Sequence, residues 1–243
     1  MCPTVAVLHH LESPFTGHAG RAFEAAGIRI EHRDLRRSEA LPAAREFDGL
    51  VSLGGEQSVR ELGAHGYLEA EVGLLREAAE AGTPVLGVCL GGQLLAHALG
   101  ARIVRLPRRT VGWRELRPLQ AARADPCFSS LPEPAMALHW NEDCFSLPPG
   151  AIELAAPAGP ACEAFRHGDV AWGIQFHPEV DADVLETWYR SEAGWLEDAG
   201  VSEAEARAAD ARHLDAQASL GAALFGAFAA VVRERASARV RAG

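Results

Sequence analysis

Short apolar runs alternate with helical periodicity through the first hundred residues. Thr4–Leu8 is an unbroken apolar strand candidate, and a turn carrying Ser13, Pro14 and Gly17 leads to a helix near Ala19–Ala26, which Gly27 ends. Ile28–His32 and Phe47–Leu53 read as the second and third strands, the latter stopped by Gly54-Gly55. Tyr67–Ala81 has helical spacing and closes at Gly82. Pro84–Val88 is the fourth strand and Gly91–Leu99 the helix after it. Strands that alternate with helices predict a mostly parallel sheet built by right-handed crossovers. Runs such as Leu50–Leu53 and Val85–Val88 do not alternate in polarity, which suits a sheet covered on both faces.

The texture changes after Gly100. Ile103–Leu106, Trp113–Leu116, Ala135–His139, Ala161–Phe165 and Val170–Gln175 are short strand candidates among prolines and glycines. They predict strands added to the sheet, partly antiparallel. Asp183–Trp195 reads as one amphipathic helix, and Glu203–Arg241 as a last one with glycine breaks near Gly221 and Gly226. The fold class is therefore α/β: a mostly parallel central sheet with helices on both faces, added antiparallel strands and C-terminal helices.

Composition narrows the chemistry. The 243 residues carry 48% hydrophobic residues and a net charge of −10, which disfavours nucleic acid as a partner. No apolar run approaches the roughly 20 residues that cross a membrane, and the N-terminal stretch resembles a buried strand, not a signal peptide; the expected location is the cytoplasm. The five cysteines are scattered, without zinc spacing or a disulfide pattern, so neither a metal nor a cofactor is expected. Every basic residue is arginine. Lysine Schiff-base chemistry and a Walker-type phosphate loop are thereby excluded. Arg233, Arg235, Arg239 and Arg241 read as a solvated helix end.

Cys89 stands between the fourth strand and its helix, with glycines at 87 and 91. That is the pattern of a nucleophile elbow with cysteine in place of serine. The helix N-terminus favours a thiolate there, although alone the pattern also fits a small buried cysteine. Gln175-Phe176-His177-Pro178-Glu179 supplies a base and a carboxylate two residues apart, on one side of an extended segment. Glu179 can then orient His177. Gly54 and Gly55 leave backbone N–H groups free, and with the N–H of Leu90 they form a candidate oxyanion site.

Gly-Gly after the third strand, Gly-Val-Cys-Leu-Gly-Gly-Gln and Gln-Phe-His-Pro-Glu, in that order, resemble the class I (triad) glutamine amidotransferase family over roughly residues 45–190. The texture is closest to stand-alone members like the GMP synthase glutaminase domain. The resemblance implies a flavodoxin-like arrangement, with residues 1–195 as the family domain and 196–243 as a helical extension packed on it. It implies Cys89 as nucleophile, His177 as base, Glu179 as its orienting group, and Gly55 and Leu90 as oxyanion donors. Gly54 and Gln93 would contact the substrate. Glutamine would be hydrolysed through a γ-glutamyl thioester, with ammonia passed to a separate synthase subunit. The alternative is a stand-alone hydrolase or peptidase acting on γ-glutamyl compounds. A third reading, less favoured, is a non-catalytic regulatory module. One segment departs from the family: in His139-Trp140-Asn141-Glu142-Asp143, Asn141 stands where related proteins have a histidine. Trp113 after Gly112 also matches a family pair and reads as core or pocket wall. His9, His10 and His97 carry no motif and read as structural.

Overall fold

The structure is a computed structural model that describes residues 2–11, 15–37, 41–156 and 161–242. The predicted turn residues Ser13 and Pro14 lie outside them. The strands are β1 (Thr4–His9), β2 (Arg29–Asp34), β3 (Gly49–Ser52), β4 (Val85–Val88), β5 (Ile103–Leu116), β6 (Ala135–Phe145), β7 (Ile152–Ala155), β8 (Ala164–His167) and β9 (Ala171–Ile174). The α-helices are α1 (Gly17–Ala25), α2 (Gly66–Ala81), α3 (Leu90–Ala98), α4 (Ala182–Ser191), α5 (Ala193–Ala199) and α6 (Glu203–Ala242).

Seven strands form the main sheet in the order β2-β1-β3-β4-β9-β8-β7. From β2 to β9 the neighbours are parallel; β8 and β7 are added antiparallel. β1, β3, β4 and β9 are buried along their whole length, whereas edge strand β2 is mostly exposed or half-buried. The two-residue period of a strand divides the core. Val5 and Val7 face one cluster with Phe23 of α1 and Leu224, Phe225 and Phe228 of α6. Ala6 and Leu8 face the other, with Leu68 and Leu75 of α2 and Leu94 and Leu95 of α3. This is the predicted α/β sheet covered on both faces.

Several elements differ from expectation. Ile103–Leu106 and Trp113–Leu116 are the ends of one long strand. Among the described residues it pairs only with β6, as a separate two-stranded sheet, and its register shifts between Arg105 and Thr110. β6 likewise runs beyond the expected Ala135–His139. The expected helix over Asp183–Trp195 is interrupted at Glu192, whose φ of −126° and ψ of 35° leave the helical region. α6 runs through Gly221 and Gly226 without a break. A Cβ at Gly221 would lie 2.4 Å from the carbonyl oxygen of Pro178, so close approach to the His177 loop explains that glycine.

α6 is also apolar and long enough, by composition, to cross a membrane, contrary to the expectation that no such stretch exists. Its Leu220, Leu224, Phe225, Phe228, Ala229 and Val232 are nevertheless fully buried in the same cluster as the sheet. The arginines of its end do more than face solvent: Arg239 pairs with Asp48, before β3, and Arg233 donates to the Ala26 carbonyl.

Candidate active site

The strands β3, β4 and β9 end side by side, and the turns that leave them build the site. Cys89 follows β4 with φ of 52°, the one non-glycine positive φ among the described residues. Such a conformation is strained for a side chain bearing Cβ and persists only where the surroundings impose it. Here the Cys89 N–H donates to the Ile174 carbonyl of β9 (2.9 Å), and Cys89 is the N-cap of α3. The glycines on either side are demanded by contact. A Cβ on Gly87 would lie 2.4 Å from the Gly91 oxygen, and one on Gly91 2.1 Å from the Ser52 oxygen. The chain can therefore turn sharply from strand to helix at this point only with both side chains absent.

β9 leads directly to His177. Its backbone N–H donates to the Leu138 carbonyl of β6 (2.9 Å). From the other side, the Gln217 amide of α6 donates to the His177 carbonyl. His177 and Glu179 are 3% and 1% exposed, and His177 Nδ1 lies 2.7 Å from Glu179 Oε1. Nε2 on the opposite side of the ring has no hydrogen-bond partner among the described residues, and neither does Glu179 Oε2. Burial alone would lower the pKa of His177. The Cys89 sulfur and the Glu179 carboxylate outweigh it and hold the imidazole well above its usual range. The ring thus has one nitrogen fixed by a carboxylate and the other free beside a sulfur.

A cavity of about 40 Å³ opens here, bordered by Cys89, His177, Glu179, Gly54 and Gly55. A Cβ on Gly54 would lie 3.1 Å from His177 Cε1 and 3.6 Å from the Cys89 Cβ, which places this loop against both groups. The backbone N–H groups of Gly55 and of Leu90, first residue of α3, make no backbone hydrogen bond among the described residues. The other buried thiols are differently placed: burial pushes Cys127, Cys144 and Cys162 up, toward the neutral form. Among the described residues no group of three or more His, Cys, Asp or Glu has a metal-binding arrangement.

The glutamine amidotransferase class-I family profile matches residues 13–189. The chain belongs to the class I glutamine amidotransferase family. The glutamine amidotransferase-like protein YfeJ of Salmonella typhimurium is 32% identical over 167 residues, 67% of this chain and 70% of its own. A GMP synthase of Thermomicrobium roseum is 41% identical over 104 residues, 42% of this chain but only 19% of that protein. Among solved structures, a glutamine amidotransferase of Methylobacillus flagellatus superposes with a TM-score of 0.84 at 26% identity, covering 95% of each chain.

Within this class I chain, the structure gathers Cys89, His177, Glu179, Gly54 and Gly55 around one cavity. Gln93 is not in its wall: its amide donates to the Asp143 carbonyl (3.0 Å) and to Gln175 Oε1 (3.3 Å) inside the protein. Leu90 is buried and is not in the cavity wall either. Asn141 is buried and donates to the Asp143 carbonyl (3.0 Å). The carbonyl of Trp140 beside it lies 3.9 Å from the Cys89 sulfur. Trp113 is not in the wall either; its indole N–H donates to Asp210 of α6 (2.8 Å). The sequence reading gave no pocket role to Leu11, Phe15, Glu56, Trp140, Trp188, Glu192 and Trp195, which complete the cavity wall. Trp188 packs edge-on to His177, with ring centroids 5.0 Å apart. A single helix over Asp183–Trp195 hides the turn at Glu192 that separates Trp188 from Trp195.

Proposed function

We propose that this chain hydrolyses the side-chain amide of glutamine, or of a γ-glutamyl compound, at Cys89. The observation that carries this reading is the buried imidazole with Nδ1 held 2.7 Å from Glu179 and Nε2 left open beside Cys89. Cys89 Sγ attacks the amide carbon as its proton passes to His177 Nε2, and the carbonyl electron pair moves onto oxygen. The N–H groups of Gly55 and Leu90 stabilise that oxyanion. The C–N bond then breaks, His177 protonates the departing nitrogen, and a γ-glutamyl thioester remains. Water attacks the thioester, losing a proton to His177. Glutamate leaves, and the proton returns to the Cys89 sulfur. Glu179 orients His177 and stabilises the imidazolium in both halves.

The primary product stream on this reading is ammonia for a separate synthase, as in the amidotransferase reaction. Incubation with a diazo-ketone analogue of glutamine should place a covalent adduct on Cys89, read by mass spectrometry. Cys89→Ala should lose the adduct and at least about 10³-fold in ammonia release. An unlabelled Cys89, together with no glutaminase activity with or without a synthase partner, overturns the proposal. Full activity without a partner would assign the chain to stand-alone γ-glutamyl hydrolysis.

A further inference from the structure

β4 and β9 run parallel and end together, with Val88 paired to Ile174. The next residue after each strand is Cys89 in one case and Gln175 in the other, so the two stand side by side. The Cys89 N–H donates to the Ile174 carbonyl (2.9 Å) and the Gln175 N–H to the Glu163 carbonyl (2.9 Å), which fixes both backbones. Gln175 is buried, and its side-chain Nε2 donates to the Cys89 sulfur (3.6 Å). Sulfur is larger than oxygen and accepts a hydrogen bond at that length. The proposed hydrolytic steps do not use this contact.

A carboxamide can face either way round, and Gln93 decides the direction of Gln175. Gln93 lies one turn into α3, buried, with its backbone N–H on the Cys89 carbonyl (2.8 Å). Its Nε2 has two hydrogens. One goes to the Asp143 carbonyl of β6 (3.0 Å) and the other to Gln175 Oε1 (3.3 Å). A backbone carbonyl only accepts, so the Gln93 amide cannot be reversed at that contact. Reversing Gln175 instead would set two NH2 groups against each other and aim an oxygen lone pair at the sulfur. Asn141 Nδ2 donates to the same Asp143 carbonyl (3.0 Å), so both of its lone pairs are taken. Residues from three elements thus hold one N–H on Cys89.

We propose that Gln175 is a catalytic donor to the Cys89 thiolate, and that Gln93 is the positioning residue that keeps the Gln175 N–H on the sulfur. The proposal rests on Cys89 as the nucleophile of the hydrolysis proposed above. A hydrogen bond to an ionised acceptor is about twice as strong as one to a neutral acceptor, so this contact favours the anion over the thiol. The Trp140 carbonyl, 3.9 Å from the sulfur, acts the other way by accepting from S–H. As the proton passes from Sγ to His177 Nε2, the charge left on sulfur meets an N–H already in place. After water has added to the thioester, the C–S bond breaks and its electron pair returns to sulfur, where the same N–H receives it. Gln175 forms no covalent bond, and its own proton stays on nitrogen.

Alkylation by iodoacetamide reads the sulfur without the amide reaction. Labelling of Cys89 is followed by peptide mass spectrometry in the full chain, in Gln175→Met, in Gln93→Met and in the double variant, each checked by thermal unfolding. Methionine keeps the length of glutamine and loses its donor. The titratable groups that share the cavity with Cys89 are His177, Glu56, Glu179 and Glu192, and none is altered. At about pH 6.5, where a free thiol is mostly protonated, Gln175→Met should react about tenfold more slowly than the parent. At about pH 9.5, where a free thiol is mostly ionised, the two should agree within about twofold. Gln93→Met should lose about threefold at the lower pH, and the double variant no more than Gln175→Met. In glutamine turnover Gln175→Met should lose about tenfold in kcat with KM within about threefold. Equal slowing at both pH values, no slowing, or losses that multiply in the double variant overturn the proposal. If Gln175→Met does not fold, Gln93→Met carries the same pH comparison alone. Unchanged alkylation and turnover in Gln175→Met remove the donor and leave the hydrolytic reading intact. No turnover and no diazo-ketone adduct in the parent, with alkylation still dependent on Gln175 at the lower pH, removes the hydrolytic reading and keeps the donor.

Discussion

Two buried histidine–glutamate pairs share nearly the same geometry and differ in what surrounds them. His177 Nδ1 lies 2.7 Å from Glu179, and His10 Nε2 lies 2.7 Å from Glu71. Both histidines are below 6% exposed, and in both the carboxylate raises the imidazole against the lowering effect of burial. Around Glu71 the environment is closed. Its second oxygen accepts from Ser52 Oγ (2.7 Å), and His10 sits behind the site loop, where a Cβ on Gly55 would lie 2.8 Å from the His10 Cβ. Around Glu179 the environment is open, with a cavity and the Cys89 sulfur. A short His–Glu contact therefore does not by itself mark a reacting centre. The neighbouring nucleophile and the room for a substrate do. The His10 pair is better understood as a brace between the end of β1 and α2, behind the Gly54-Gly55 loop.

The widest separation between the pairs is expected in turnover. His177→Ala removes the base and should reduce glutaminase kcat about 10³- to 10⁴-fold. Glu179→Gln keeps the base and loses its orientation and charge, so a smaller loss, about 10- to 100-fold, is expected. Negligible effects of both would discard the assignment of His177 and Glu179. At the brace the cost should appear as stability instead. His10→Ala leaves Glu71 buried without its counter-charge, which costs about 3–5 kcal/mol in urea unfolding. Turnover per folded molecule should stay within about tenfold of the parent. An undiminished unfolding midpoint, or a loss of turnover as large as that of His177→Ala, would erase the distinction between the pairs.

The same contrast explains what could be read in the chain. His177 and Glu179 are two residues apart, so their pairing is visible locally, although the structure joins them through a turn at 178–179 and not the expected extended segment. The elbow is visible because Gly87 and Gly91 sit within two residues of Cys89 and their contacts allow nothing larger. His10 and Glu71 are 61 residues apart, joined only by the parallel sheet and α2, and His10 carries no motif. The cavity wall was hidden for a related reason. Trp140 reaches it from β6, Phe15 from before α1, and Trp188 and Trp195 from two helices that share one amphipathic period until Glu192 breaks it. Periodicity reports which face is buried, not where one residue leaves the helix. The β5–β6 strands follow the same rule: their local pattern shows strand, but not that they pair with each other rather than with the main sheet.

The smallest expected effect is in the pH dependence of stability, and it separates the two pairs by source. A histidine whose folded pKa exceeds its unfolded value of about 6.5 contributes stability that is complete below that value and lost as pH rises through the folded pKa. His10 and His177 both belong to this class. His9 and His18 are lowered, chiefly by burial, so their opposite effect is complete once pH passes the unfolded value and adds no slope above it. Between pH 7.5 and 9 (a window of roughly one and a half units above the unfolded histidine) the unfolding temperature should therefore fall. Glu71→Gln should remove the His10 share of that slope, and Cys89→Ala should remove part of the His177 share, because the sulfur leads the groups that raise it. Differential scanning calorimetry of the three proteins across the window measures both shares. If the two variants keep the parent slope, the charged pairs do not differ between folded and unfolded states. The distinction between a sealed brace and an open site would then rest on turnover alone.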